Sequence, residues 1–131
     1  MAKITAENPD QYVFLSTHPI MYRMAYGGEH TYTTTGWFTR ELPDILKDYP
    51  QAVIFGGHVH FSISSDLSIM QDGFTSLQCG SVNYMSNEDG EYRDSNAPVS
   101  LVDRETVHSG YLVQVDGNNN VRILRMNFGY K

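Results

Sequence analysis

Apolar positions along this chain cluster in short blocks separated by polar stretches. Tyr12-Val13-Phe14-Leu15 and Ala52-Val53-Ile54-Phe55 are continuous apolar runs of strand length. Such runs predict strands buried on both faces, as in a parallel sheet. The first follows the turn signal Asn8-Pro9-Asp10 and ends at Ser16-Thr17-His18-Pro19, where Pro19 forbids a ladder bond in mid-sheet. The second ends at Gly56-Gly57-His58-Val59-His60. Phe74 to Cys79 reads as a third strand, closed by Gly80-Ser81.

Between the first two runs the period changes. Phe38, Leu42, Ile45, Leu46 and Tyr49 make one helical stripe, which predicts a helix within residues 36–48. Pro43 either kinks that helix or marks where its regular part starts. Residues 86–105 are rich in Asn, Asp and Glu and read as an exposed loop. Residues 110–115 and 121–126 are β-rich, and Asp116-Gly117-Asn118-Asn119-Asn120 between them signals a hairpin. The predicted class is α/β, mostly strands with one main helix and a C-terminal β-hairpin.

Composition narrows the partners. The 131 residues are 40% apolar and 18% charged, enough for one globular domain with a core. The net charge of −6 repels phosphate backbones and argues against broad nucleic-acid binding. A bound cation would still draw a phosphate locally. No apolar run approaches a membrane span. Residues 1–11 lack the apolar core of a signal peptide, and the compartment is not read from the sequence. The single cysteine, Cys79, lies in a predicted strand with no basic neighbour, so it reads as a buried, inert thiol.

The candidate chemistry sits at strand ends. In α/β sheets, ligands bind beyond the carboxyl ends of strands. If the first two strands are neighbours, His18, His58 and His60 meet at one edge. Neutral imidazoles suit zinc, iron, manganese or nickel. In an extended segment the two histidines of H-x-H point the same way; on a turn they can splay to two metals. Gly56 and Gly57 allow close backbone approach there. A lone histidine of this kind is more often structural. Their joint occurrence, each after a β-rich run and beside Gly or Pro, favours a metal site.

Val13-Phe14-Leu15-Ser16-Thr17-His18-Pro19 resembles the strand-plus-His segment of calcineurin-like metallophosphoesterases. Val53-Ile54-Phe55-Gly56-Gly57-His58-Val59-His60 resembles their G-H-x-H motif, and Phe74 to Ser81 their strand ending in Gly-Ser. The resemblance covers residues 8–82 and extends plausibly to the hairpin. It implies part of a two-sheet sandwich flanked by helices. It also implies two divalent ions (Mn, Fe or Zn) and hydrolysis of a phosphoester by a metal-bound hydroxide. His18 and His58 would serve the second metal and His60 the first.

The family's D-x-H, G-D-x-x-D and G-N-H-D/E motifs are absent from this sequence. The resemblance therefore implies the C-terminal half of one domain, with the N-terminal half upstream of Met1. None of the family's acid or base residues is present, and the isolated chain is expected to be weakly active or inactive. Half a sandwich exposes a sheet edge, so self-association is expected.

Tyr22, Tyr26, His30, Tyr32, Trp37 and Phe38 crowd the loop after His18. They form either a substrate-facing rim or a loop packed on its own aromatics. Tyr26, His30 and Ser81 are the candidate substrate-lining residues. His108 reads as structural or surface, and Arg93 and Arg104 as solvated. Two other readings remain. One is a non-catalytic metal-binding or interaction module of the same fold. The other is a cupin-like metal barrel, which His58-Val59-His60 with Asp66 and Gly73 loosely resembles but a helix fits poorly.

Overall fold

Ala52, Val53 and Ile54 are all buried, and the strand they open organises the chain. The computed structural model describes residues 1–28, 40–82, 85–88, 99–102 and 108–128. In chain order these contain α1 (Ala2–Glu7), β1 (Val13–Pro19), α2 (Glu41–Leu46), β2 (Ala52–Gly57), β3 (Ile69–Gln71), β4 (Thr75–Gln78), β5 (Met85–Glu88), β6 (Val99–Val102), β7 (Ser109–Val115) and β8 (Val121–Asn127). A 3-10 turn, Asp66–Ser68, leads into β3. The chain is mixed α/β, with many strands and few helices.

The main sheet has the order β1-β2-β4-β3. β1 and β4 both pair parallel with β2, and β3 pairs antiparallel with β4. Three strands therefore end at one edge, a parallel arrangement unlike the antiparallel barrel alternative. One face carries the core. Ala52, Ile54, Phe74, Leu46, Met21 and Met24 cluster there, with Leu15, Leu42 and Tyr49 against them. Each fully buried aliphatic or aromatic side chain contributes about 1.5–3 kcal/mol.

β2 has the two-sided burial that its apolar run predicts, but β1 does not. Its exposure alternates, and Phe14 is 43% exposed, because β1 is the outermost strand of the described sheet. That position also tolerates Pro19 as the last residue of the strand.

The predicted main helix is shorter than its stripe. Among the described residues it is the six-residue α2, with Pro43 in the first turn, where a missing N–H costs nothing. Residues 36–39 lie outside the described ones. A second six-residue helix, α1, carries no buried side chain, so no apolar stripe announced it.

The polar stretch 86–105 was expected to be a loop. Instead its described parts pair as β5 and β6, from Met85↔Val102 to Glu88↔Val99. Backbone pairing decided this against a polar composition. β3, three residues long, also escaped pattern reading because it offers too few positions for a period.

The predicted hairpin is present, with β7 and β8 paired from Ser109↔Asn127 to Val115↔Val121. Asp116 closes its turn, accepting from the backbone N–H groups of Asn118 (2.8 Å) and Asn120 (3.0 Å) and from the Asn120 side chain (2.8 Å). These bonds hold its carboxyl below the usual carboxylate range. No helix among the described residues is long and apolar enough to cross a membrane.

Candidate metal centre

β1 ends irregularly, and that irregularity aims His18. The register with β2 shifts between Ser16 and Pro19. Thr17 Oγ1 donates to the carbonyl of Pro19 (2.8 Å), fixing the kink. A bulge of this kind re-aims a side chain at a strand end. β2 ends one residue before His58, and both His58 (φ 76) and His60 (φ 56) adopt left-handed backbone. Each such residue costs about 1–3 kcal/mol and persists only where its surroundings over-determine it. The H-x-H segment is thus a coiled turn, and the same-side rule for extended backbone does not govern it.

Adjacent strand ends bring His18 and His58 together. His18 Nε2 and His58 Nδ1 are 3.0 Å apart, a hydrogen bond in which one ring donates and the other accepts, with ring centroids at 5.0 Å. Burial, then the neighbouring His18 and His60, hold the His58 imidazole below its ordinary pKa. That keeps a lone pair available near neutral pH, as a metal ligand needs. His60 is close enough to act on His58 electrostatically.

The separation can be compared with coordination geometry. Nitrogens bonded to one cation at about 2.1 Å lie about 3.0 Å apart at a right angle and about 3.4 Å apart in a tetrahedron. The pair therefore has the spacing of one edge of a coordination shell. Among the described residues, however, no group of three His, Cys, Asp or Glu side chains is placed to hold a metal ion. These residues fit part of one cation's shell and do not make up a two-metal centre.

The glycines divide. A Cβ on Gly56 would lie 2.6 Å from Ile20 Cα and 2.9 Å from the Pro19 carbonyl, so only glycine lets β1 and β2 converge there. A Cβ on Gly57 would meet only the His18 carbonyl, at 3.5 Å.

The substrate-lining candidates fare differently. Tyr26 is buried and lies against Phe61, ring centroids 4.9 Å apart, so it packs rather than faces outward. Ser81 lies three residues beyond the end of β4, its carbonyl accepting from Ser109 N–H at 3.0 Å. His30, Tyr32, Trp37 and Phe38 lie outside the described residues.

Gln78 was passed over in sequence. Its side chain is fully buried on β4, and among the described residues neither amide atom has a hydrogen-bond partner. A polar residue inside an apolar strand was the available signal.

Cys79 is half-buried rather than fully buried, and it follows the last residue of β4. Burial pushes its thiol up to about 11. Its thiolate fraction at pH 8 then falls about a hundredfold below that of an ordinary cysteine. Iodoacetamide labelling of the folded chain is expected to slow accordingly, recovering in urea. The raised folded value also sets a sign. Stability from the Cys79 proton is complete below about pH 9 and is lost as pH climbs through about 11. Cys79→Ala should flatten the alkaline fall in urea stability; an unchanged slope would exclude this account.

Comparison with known proteins yields no match to a family model, to a curated protein or to a solved structure.

Proposed function

We propose that this chain forms the C-terminal half of a metal-dependent phosphoesterase domain of the calcineurin-like type. The observation that carries the reading is the 3.0 Å approach of His18 and His58 from two parallel strand ends. The H-x-H turn, with both histidines in strained backbone, supports it. In this reading His18 and His58 would hold one divalent ion (manganese, iron or zinc), and His60 would be a ligand of a second.

When bound, the two ions supply Lewis-acid chemistry and positive charge for a phosphoryl group. The chain's own part is to present imidazole nitrogens from converging strand ends. In this reading the carboxylate and asparagine ligands would be supplied by the N-terminal half of the domain, as the family resemblance implies. The exposed Phe14 and the outer edge of β1 are consistent with such a neighbour, or with self-association of the isolated chain.

The test is cation binding. Adding Mn2+ to the isotope-labelled chain is expected to broaden the imidazole resonances of His18 and His58 first, and His18→Ala is expected to weaken the effect at least tenfold. Broadening confined to surface carboxylates would remove the metal centre.

A second reading is a metal-binding or interaction module of the same fold without catalysis. It requires no more than the paired imidazoles of His18 and His58. Aryl phosphate turnover by the complete metal-loaded domain separates the two, since only the enzyme reading expects it.

A further inference from the structure

Beyond the histidines, the same sheet edge carries a small cavity with a fixed positive charge. It is a half-open cleft of ≈ 100 Å³ lined by Ile63, Ser64, Ser109, Arg125, Met126 and Asn127, with Ser64, Arg125 and Asn127 exposed at its rim. By that measure one water needs only about 15 Å³. Gly80 makes the cavity possible. Its φ is 71, and a Cβ there would lie 2.9 Å from Ile63 Cγ2 and 3.1 Å from Ser109 Oγ. The hairpin start is thereby seated against the end of β4, with Ser109 N–H donating to the Ser81 carbonyl.

Arg125 is held from behind. Its Nη2 donates to the Ser65 carbonyl (3.3 Å) and to Ser68 Oγ (3.3 Å), and its Nε to the same Oγ (3.4 Å). Tyr111 Oη donates to that hydroxyl at 2.9 Å, locking the turn on which the guanidinium rests. Nη1 makes no hydrogen bond among the described residues, and no carboxylate there pairs with Arg125. In a chain of net charge −6 such a cation is notable. A guanidinium oriented by its other nitrogens, beside the Ser64 hydroxyl, the Asn127 amide and the Ser109 hydroxyl (which donates to Met85 Sδ at 3.9 Å and would turn to an anion), matches an oxyanion.

Chain geometry ties the cavity to the histidines. Ser64 follows His60 by four residues, so their Cα atoms are at most about 14 Å apart. We propose that the cavity is an oxyanion subsite for the second anionic group of a phosphoester, a further phosphate or a carboxylate. This rests on the phosphoesterase reading for the word phosphoester, but the oxyanion subsite itself does not.

The experiment separates them. The chain in EDTA is titrated with inorganic phosphate, then with acetate, at ionic strength held constant with sodium chloride, while amide resonances are followed. Saturating shifts at Ser64, Ser109 and Asn127 are expected in the millimolar range. Arg125→Gln should weaken binding at least tenfold. Because Arg125 also braces the Ser65–Ser68 turn, Ser64→Asp serves as a second variant, placing a like charge on the rim without touching those bonds. It too should abolish saturation.

Saturation by phosphate alone assigns the second group as phosphate, and equal saturation by acetate assigns a carboxylate. Shifts no larger than those from chloride, or shifts unchanged in Ser64→Asp, overturn the subsite. Failure of Mn2+ binding with phosphate binding intact would overturn the phosphoesterase reading and leave an anion site.

Discussion

His58→Ala in the complete domain is expected to reduce hydrolysis of an aryl phosphate by about a thousandfold or more. The imidazole of His58 lies 3.0 Å from that of His18 and shares its cation in the proposed centre. Losing several kcal/mol of charge stabilisation at the phosphoryl group corresponds to three orders of magnitude in rate. His60→Ala is expected to behave the same way. Thermal unfolding should change little, because neither ring belongs to the hydrophobic core.

A glycine control makes the first result harder to explain by misfolding. At φ 76 alanine keeps the steric conflict of the left-handed region, whereas glycine does not. His58→Gly should therefore be more stable than His58→Ala by about 1 kcal/mol and equally inactive. Turnover retained in either variant would take residue 58 out of the site. Equal stability of the two would contradict the strained turn.

The second large effect is structural. Gly56→Ala is expected to destabilise the chain by about 3 kcal/mol, at the upper end for overpacking. The added carbon would meet backbone, namely Ile20 Cα at 2.6 Å and the Pro19 carbonyl at 2.9 Å. Backbone cannot swing aside as a flexible side chain can. The end of β1 must move away from β2, carrying His18 from His58, so Mn2+ binding should weaken with stability.

Gly57→Ala is the internal comparison. Its nearest new neighbour, the His18 carbonyl at 3.5 Å, is at ordinary contact distance. That variant should stay within about 1 kcal/mol of the parent, since strand alanine usually replaces glycine without loss where space allows. Urea unfolding of the two variants measures the contrast. Comparable losses would mean that the convergence at Gly56 is not the tight contact described.

Part of this was legible before any coordinates. The runs 12–15, 52–55 and 74–79 contain or overlap β1, β2 and β4, and the Asp-Gly-Asn turn lies between β7 and β8. Those signals are local: continuous apolar residues need a dry environment, and turn residues need their own backbone angles. Strand exposure was not legible. Phe14 and Ile54 sit in similar runs, yet one is exposed and the other buried, because only strand order makes β1 outermost. The pairing of β5 with β6 likewise joins segments whose polar composition suggested a loop.

By itself the sequence determined where the candidate residues stand along the chain. Three histidines follow strand-like runs, with glycine where backbone must pass close. Tertiary structure decided which of them meet. It set His18 on His58 by placing β1 beside β2 in parallel, and it turned Tyr26 inward onto Phe61. It also gathered Ser64, Ser109 and Arg125 around one cavity from separate stretches of chain. The physical reason is range. Side-chain type and backbone preference act within a few residues, whereas coordination and charge recognition act through space between segments that only folding brings together.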